Sequence, residues 1–374
     1  MSLSVGIVGL PNVGKSTLFN ALTKRQQAAA ENYPFCTIEP NSAIVEVADP
    51  RLEALAKIVT PQQIIRATVE FTDIAGLVKG ASKGEGLGNK FLANIRECDA
   101  ILHVVRCFEN DDIIHVQEGG NKSAPIDPAG DAEVIETELV LADMEQLQKR
   151  CDKTRNEAKS DPKKRPEFDA MTALLAHLGE GKPVRTFPRV EGDPILPVLR
   201  DLHFLTDKKT IYCANVAEDD LADPSANPHV AALKAYADAQ GCEMVTVCAQ
   251  MEADLAGLSD AEAKEFLSSY GLTSSSLDRT IKLAYHTLGL ASFLTAGPKE
   301  VRAWTFRRGW KAPQCAGVIH TDFEKGFIRA QVIAFDDYVK HNGEVGARAA
   351  GALRPEGKDY EMQDGDVVEF MFNK

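Results

Sequence analysis

The segment Gly9-Leu-Pro-Asn-Val-Gly-Lys-Ser16 constrains the fold of this chain more than any other feature. It matches the GxxxxGK[ST] pattern of a phosphate-binding loop, and it lies between a short apolar run at 4–8 and a helical pattern that starts at Lys15. The glycines let the backbone curl so that consecutive N–H groups face an anion at the helix N-terminus. The sequence therefore predicts a nucleotide-binding strand–loop–helix unit.

Short β-branched segments alternate with helical ones over the first hundred residues, which indicates a parallel sheet wrapped by helices. The fold class predicted is therefore α/β, a P-loop NTPase domain of the GTPase-like type. The predicted strands of this sheet are 4–8, 42–47, 67–71, 100–106, 210–214 and 243–248, with a helix at 15–23. After residue 278, short segments at 300–306, 327–334 and 366–372 predict a second, small mixed or antiparallel sheet.

A helical hairpin is predicted to interrupt the first domain. Apolar residues follow a helical spacing over 131–155 and again over 168–178, with a Pro-rich, charged break between them. The tip of this arm, 149–165, holds eight basic and three acidic residues, so its local charge is 8 − 3 = +5 in a chain of net charge −13. The tip is therefore either a solvated turn or a contact surface for nucleic-acid phosphates.

Composition indicates a folded protein outside membranes. Hydrophobic residues make up 44% and charged residues 26% of the chain, and no apolar run approaches the length of a membrane span. The eight cysteines form no CxxC pair, which favours reduced structural thiols over disulfides or zinc ligands. We expect a cytoplasmic protein, and the overall acidity excludes non-specific coating of nucleic acid.

The predicted phosphate and metal chemistry centres on two segments. Lys15 is expected to bridge the β- and γ-phosphates, while the Ser16 hydroxyl binds Mg²⁺. Asp73, in Asp73-Ile-Ala-Gly76, is expected to reach the hydration shell of Mg²⁺, and Gly76 to offer its N–H to the γ-phosphate. Thr37 is the candidate for a second hydroxyl ligand of Mg²⁺.

The base-recognition element is predicted at the end of the strand at 210–214. GTP-binding folds carry NKxD there, but this chain has Asn215-Val-Ala-Glu218. Val216 replaces the lysine that flanks the base, and the carboxylate of Glu218 is one methylene longer. Because guanine needs a carboxylate at a set distance, these changes favour a site that accepts ATP.

Three further residues bear on hydrolysis. Leu77 stands where many related enzymes carry a glutamine that orients the attacking water, so another group has to do this. His115, in the loop after the strand at 100–106, is either that group or an ordinary surface histidine. Asn12 could offer its side-chain oxygen to a K⁺ ion beside the phosphates.

These segments resemble the YchF, or Obg-like ATPase, family of translation-factor-related NTPases. The resemblance covers essentially the whole chain and rests on residues 9–17, 73–89, 215–218, 320–329 and 364–366. It implies a nucleotide domain interrupted by a helical arm and followed by a TGS domain, a small ubiquitin-like β-grasp. It also implies a preference for ATP, a hydrophobic residue in place of the catalytic glutamine, which Leu77 fits, and a catalytic role for His115. Members of the family associate with ribosomes.

The resulting expectations are specific. We expect an ATPase that cleaves the β–γ bond, uses Mg²⁺ and binds the large subunit or the 70S ribosome through the arm tip, as a monomer away from membranes. The predicted domains are 1–130 with 208–278, the arm 131–207, and the TGS domain 289–372. The predicted catalytic residues are Lys15, Gly76 and His115, the metal ligands Ser16, Thr37 and Asp73, and the nucleotide-binding residues Asn12, Val13, Gly14, Lys15, Ser16, Thr17, Asn215, Val216, Glu218, Cys248 and Ala249. A GTP-hydrolysing factor and a binding module gated by nucleotide, in which hydrolysis is incidental, stay open as alternatives.

Overall fold

The computed structural model describes residues 3–30, 41–74, 87–110 and 125–373. The chain divides into two compact units, Met1–Ala43 with Glu70–Thr280 and Ile44–Val69 with Ile281–Lys374. The strands within the described residues are β1 Ser4–Val8, β2 Ser42–Glu46, β3 Gln63–Ile65, β4 Thr68–Asp73, β5 Ala100–Arg106, β6 Lys209–Asn215, β7 Glu243–Val247, β8 Leu290–Ala296, β9 Glu300–Arg307, β10 Phe327–Ala334, β11 Arg354–Glu356 and β12 Asp366–Phe372. The α-helices there are α1 Lys15–Ala30, α2 Pro50–Val59, α3 Leu87–Glu97, α4 Pro128–Ser160, α5 Arg165–Gly179, α6 Ile195–Leu202, α7 Pro228–Ala239, α8 Ala249–Leu255, α9 Asp260–Ser269, α10 Ser276–Thr287, α11 Ala312–Ile319, α12 Thr321–Lys325, α13 Phe335–Lys340 and α14 Glu344–Ala349.

The first sheet has the order β2-β4-β1-β5-β6-β7. Strands β4, β1, β5, β6 and β7 run parallel, so their carboxyl ends meet at one edge of the sheet. Every residue of the central strand β5 is buried, as expected for a strand covered by helices on both faces. The loops that follow β1, β5, β6 and β7 therefore lie together at the edge where ligands bind in open α/β sheets.

The arm consists of α4 and α5, with α6 packed against them. Its core is an apolar cluster shared by the three helices, and its members include Val140, Leu147, Cys151, Met171, Leu174, Leu178, Ile195, Val198 and Leu199. On α4, the buried carboxylate of Asp143 accepts hydrogen bonds from the backbone N–H groups of Leu205 (2.9 Å) and Thr206 (2.8 Å) and from the Thr206 hydroxyl (2.7 Å). These bonds fix α4 to the segment that leads into β6.

The second unit is built on a mixed sheet of order β11-β10-β12-β8-β9-β3. Pairs β8–β9, β10–β12 and β10–β11 are antiparallel, whereas β12–β8 and β3–β9 are parallel. Helix α11 packs on this sheet over a core that includes Phe293, Phe306, Cys315 and Phe370. The arrangement is β-grasp-like, as expected for the C-terminal region.

The predicted α/β class with an inserted helical hairpin is confirmed. Four predicted strands, β1, β5, β10 and β12, begin and end at the predicted residues. Helix α4 is longer than the 131–155 pattern because Pro128 at its start and the Asp127 side chain, which accepts from the Gly130 N–H, set an earlier N-terminus. Strands β3 and β8 and helix α2 have no counterpart in the sequence prediction.

The predicted domain boundaries remain predictions. The two compact units of the structure are divided at other residues. The arm lies in the first unit, and residues 44–69, which carry α2 and β3, lie in the second. The reason for the latter is the parallel pairing of β3 with β9, in which Gln63 is opposite Glu300.

The described helices, cysteines and His103 provide three further observations. No α-helix among the described residues is both long and apolar enough to cross a bilayer. The seven described cysteines carry free thiols, and six of them are buried. His103 is also buried, with its ring 5.3 Å from that of Tyr212, as expected of a packing residue.

The arm core provides a direct test of the packing. Leu147 is fully buried in the arm cluster, so Leu147→Ala is expected to lower the free energy of unfolding by about 2–5 kcal/mol, because it leaves a cavity. The measurement is urea unfolding followed by circular dichroism. Leu141→Ala on the same helix is the matched control: this side chain is 37% exposed, and the expected loss is below about 1 kcal/mol. Equal losses for the two variants would contradict the packing.

Candidate nucleotide-binding site

The loop between β1 and α1 has a backbone that only glycine allows at two points. A Cβ at Gly9 would lie 2.4 Å from the carbonyl oxygen of Val104, and a Cβ at Gly14 would lie 2.2 Å from Nδ2 of Asn215. Gly14 also has φ +98°, a left-handed value. The glycines of the motif therefore permit both the curl of the loop and its close approach to β5 and β6.

The side chain of Asn215 joins two loops of the site. Its Nδ2 donates to the carbonyl of Val13 (2.9 Å), and its Oδ1 accepts from the N–H of Ala249 (3.0 Å). Asn215 is the last residue of β6 and only 4% exposed, so these bonds are shielded from water. The phosphate loop and the loop after β7 are thus held at a fixed separation.

The charges of Lys15 and Asp73 each affect the pKa of the other residue. The buried Lys15 ammonium donates to the carbonyl of Leu10 (2.6 Å). Burial lowers the pKa of Lys15 to about 8, while the charge of Asp73 opposes that shift. Burial also raises the pKa of Asp73, opposed by Lys15. At neutral pH the lysine therefore still carries most of its positive charge, which an incoming phosphate can use.

A cavity of about 570 Å³ opens beside the loop at the carboxyl edge of the sheet. Ten of the predicted nucleotide-binding residues line it: Asn12, Gly14, Lys15, Ser16, Thr17, Asn215, Val216, Glu218, Cys248 and Ala249. Val13 does not line the cavity: the residue is 2% exposed, and its carbonyl accepts the hydrogen bond from Asn215. The residues after β6 and β7 line the same cavity as the phosphate loop, and the part of the cavity that they border is called the base recess.

Sequence reasoning missed several lining residues. Phe108, Glu109, Asn110, Ala217 and Gln250 also border the cavity. Ala217 lies inside the Asn215–Glu218 motif and Gln250 follows Ala249, whereas no motif identifies the other three, because the loop after β5 has no characteristic pattern. It is positioned by Arg106, whose guanidinium donates to the carbonyls of Phe108 (3.0 Å) and Asn110 (3.0 Å) and lies 4.7 Å from the centre of the Phe108 ring. The exposed part of that ring is available to a planar base.

The recess has a polar and an apolar wall. Val216 is 2% exposed and belongs to the core cluster that also contains Cys248 and Leu221. Glu218 also lines the cavity, and its carboxylate accepts a hydrogen bond from the hydroxyl of Tyr270 (3.1 Å). Burial raises the pKa of the Cys248 thiol, so this sulfur is a neutral wall group rather than a nucleophile.

The predicted metal ligands and catalytic residues fall into two groups. Ser16 lines the 570 Å³ cavity, whereas Asp73, the last residue of β4, borders a separate cavity of about 370 Å³ with Asn41 and Thr72. Thr37, Gly76, Leu77 and His115 lie outside the described residues. Within those that are described, no group of three or more His, Cys, Asp or Glu side chains could hold a metal ion. A hydroxyl and a carboxylate are nevertheless the hard oxygen donors that Mg²⁺ prefers.

A larger cavity of about 910 Å³ lies elsewhere in the first unit, lined by residues of α6 and of the segment that leads into β6. Its lining includes both Arg200 and Lys209 and both Asp99 and Asp193, so charges of the two signs are mixed there. The phosphate loop borders the 570 Å³ cavity and not this one. The 570 Å³ cavity is therefore the candidate site.

Comparison with known proteins decides the family. A family model described as "50S ribosome-binding GTPase" matches residues 4–137, and the model YchF-GTPase_C, described as a protein of unknown function, matches residues 290–373. The chain is 51% identical to "Ribosome-binding ATPase YchF" of Bacillus subtilis, with 100% of both chains covered. The chain belongs to the YchF family.

Further YchF relatives agree over the full length. The E. coli O157:H7 protein of the same name is 51% identical, again with 100% of both chains covered. A solved structure, "Structure of the Schizosaccharomyces pombe YchF GTPase", aligns with a TM-score of 0.86 at 36% identity, covering 99% of this chain and 98% of that one. The fold of the YchF family thus extends through the phosphate loop, the arm and the C-terminal sheet.

The Asn215 contacts of this YchF chain yield a prediction. Asn215→Ala removes both bonds and leaves the Val13 carbonyl and the Ala249 N–H buried without partners, so nucleotide affinity is expected to fall by about tenfold or more. The measurement is equilibrium binding of a fluorescent ATP analogue with Mg²⁺. The control is Thr206→Val, which removes a buried hydroxyl that lines no part of the cavity. A comparable loss of nucleotide affinity in the two variants would contradict this role of Asn215.

Proposed function

We propose that the protein binds and hydrolyses ATP in preference to GTP, and that the nucleotide controls its association with ribosomes. The observation that carries the nucleotide preference is the pair Val216 and Glu218 in the base recess. The names of the B. subtilis and E. coli relatives, which call them ribosome-binding ATPases, support the proposal. Ribosome binding implies that the protein acts in the cytoplasm, and we propose that it acts as a monomer.

Base selectivity follows from hydrogen-bond complementarity. Guanine presents two N–H donors to a carboxylate, while adenine presents one amino group beside an acceptor. In this chain the residue that would flank guanine as a lysine is the buried Val216, and Glu218 is already engaged by Tyr270. A guanine clasp of the NKxD type is therefore incomplete, whereas an adenine amino group still finds an acceptor.

The phosphate end of the site supports hydrolysis by charge neutralisation. Lys15 and the N–H groups at the start of α1 would stabilise negative charge that moves toward the β–γ bridging oxygen. Ser16, Asp73 and Thr37 are the residues proposed to hold Mg²⁺, which supplies further positive charge to the phosphates when bound. Asn12, at φ +63° in the loop, is the group proposed to face K⁺.

Water positioning is assigned to the loop after β5. Leu77 has no polar atom with which to orient water, so His115 takes this role in our proposal. Without an arginine or glutamine in the motifs, unaided turnover is expected to be slow. GTP hydrolysis is the competing candidate, favoured by the name of the S. pombe relative, which calls it a GTPase, and by the description of the N-terminal family model.

Nucleotide preference is tested by equilibrium binding and steady-state hydrolysis of ATP and GTP with Mg²⁺. The wild-type chain is expected to prefer ATP, and Glu218→Asp combined with Val216→Lys is expected to move the preference toward GTP, because the pair restores the guanine-reading side chains. The single variant Glu218→Asp avoids placing a lysine at a position that is 2% exposed, and thermal unfolding checks that both variants fold. Wild-type affinity for GTP equal to or above that for ATP would refute the proposal.

Ribosome association is assigned to the arm tip, 149–165. Helix α4 has 33 residues, which at 1.5 Å rise per residue carries the tip about 50 Å along its axis. Several basic side chains near the tip are neutralised in ion pairs: Lys149 with Glu145, Arg150 and Lys164 with Glu167, Arg155 with Asp152, and Arg165 with Asp169. Lys153, Lys159 and Lys163 are exposed and have no ion-pair partner among the described residues, so they are the cations available to rRNA phosphates.

Removing these three lysines tests the assignment. The triple variant Lys153→Ala, Lys159→Ala, Lys163→Ala is expected to bind ribosomes more weakly. Its affinity is also expected to depend less on salt: the slope of log affinity against log salt concentration becomes shallower by about 0.7–0.9 for each phosphate that the variant no longer neutralises. The measurement is co-sedimentation with purified 70S ribosomes and 50S subunits at several salt concentrations.

The matched control removes the same charge elsewhere. Lys264, Lys282 and Lys358 are exposed and lie outside the arm, so their replacement by alanine is expected to leave ribosome binding nearly unchanged. An equal effect of both triple variants would show that net charge, rather than the arm tip, governs binding.

A further inference from the structure

Tyr270 is the residue that touches the base-reading carboxylate from outside the sequence motifs. It follows α9, and its hydroxyl donates to Oε2 of Glu218 at 3.1 Å across 52 residues of sequence. Neither the phosphate loop nor the Asn215–Glu218 segment predicts this contact, because it joins the end of β6 to a helix after the last strand of the sheet.

The position of the hydroxyl is set by packing. The Tyr270 ring lies 5.3 Å from that of Phe266, and both side chains pack against the core cluster that contains Val216 and Cys248. The N–H of Tyr270 donates to the carbonyl of Leu267 (3.1 Å), which ends α9 at this point. The same apolar cluster therefore backs both the wall of the base recess and the tyrosine that reaches over to its carboxylate.

The contact divides the two oxygens of Glu218. A carboxylate only accepts hydrogen bonds, and a clasp on guanine uses both oxygens for two parallel N–H donors. With Oε2 accepting from Tyr270, Oε1 is the oxygen left without a partner in the described residues. The hydrogen bond from Tyr270 uses one lone pair of Oε2 and fixes the orientation of the carboxylate, so Oε1 is the better acceptor for the single amino group that adenine presents.

We propose that Tyr270 is a positioning residue that sets base selectivity, by occupying one oxygen of Glu218 and leaving the other for the amino group of adenine. This inference rests on the proposed preference for ATP and names a residue that enforces it. The bond to the Glu218 carboxylate raises the pKa of Tyr270, so the hydroxyl keeps its proton and acts as the donor at neutral pH.

The test is equilibrium binding of ATP and of GTP, each with Mg²⁺, to the full chain. Tyr270→Phe keeps the packed ring and removes only the hydroxyl, so the ratio of GTP affinity to ATP affinity is expected to rise about three- to tenfold, the size expected for the net loss of one partly exposed hydrogen bond. Tyr360→Phe is the matched control. Its hydroxyl donates to the carboxylate of Asp366 (2.7 Å) in the second unit, and the ratio is expected to stay unchanged.

A double-mutant cycle separates positioning from a purely structural role. If Tyr270 acts through Glu218, then Tyr270→Phe in a Glu218→Ala background is expected to leave the affinity ratio where Glu218→Ala alone puts it. A shift of the same size in both backgrounds would overturn the inference, because the tyrosine would then act by another route.

The outcomes distinguish this inference from the proposed function. Wild-type preference for ATP with an unchanged ratio in Tyr270→Phe overturns the role of Tyr270 alone. Wild-type binding of GTP equal to or better than that of ATP overturns the proposed preference, and the role of Tyr270 with it. Wild-type preference for ATP that weakens in Tyr270→Phe but not in Tyr360→Phe or in the Glu218→Ala background supports both.

Discussion

The buried side-chain amide of Asn215 holds together the two loops from which the candidate site is built. One end bonds to the phosphate loop and the other to the loop that follows β7, with both bonds near 3 Å and shielded from water. The amide fits only because Gly14 has no Cβ, which would otherwise lie 2.2 Å from it. Gly14 is therefore required for the contact between the phosphate loop and strand β6, as well as for the loop conformation that binds phosphate.

Around this fixed frame, the base recess is made of elements from distant parts of the sequence. Val216 lines the cavity just after β6, the loop positioned by Arg106 brings Phe108 to it, and the Glu218 carboxylate accepts a hydrogen bond from Tyr270. Val216 and Glu218 differ from the lysine and aspartate of a guanine-binding NKxD site, and Tyr270 contacts the second of them. The proposed selectivity for ATP is therefore a property of the whole recess, rather than of one substituted residue.

Electrostatics separates the two proposed binding functions in space. The chain carries a net charge of −13, so a polyanion such as rRNA can be approached only through a local basic surface. Helix α4 has 33 residues and ends in that surface, while the hydrogen bonds of Asp143, midway along α4, hold the arm to the segment before β6. The nucleotide site instead uses one buried lysine and backbone N–H groups, which concentrate charge without a basic surface.

The sequence by itself determined the features that depend on neighbouring residues. The strands β1, β5, β10 and β12, the two arm helices and ten lining residues of the cavity follow from local periodicity and from motifs whose chemistry requires fixed spacing. The tertiary structure alone decided the features that depend on pairing across long separations. The three-residue strand β3 carries no pattern of its own and exists by pairing with β9, and α2 and β3 thereby join the C-terminal unit. Likewise, Phe108 lines the cavity because of the sheet order, and Tyr270 contacts Glu218 because the tyrosine packs on the core that also contains Val216. Contacts between residues so far apart in sequence leave no signal in a single sequence.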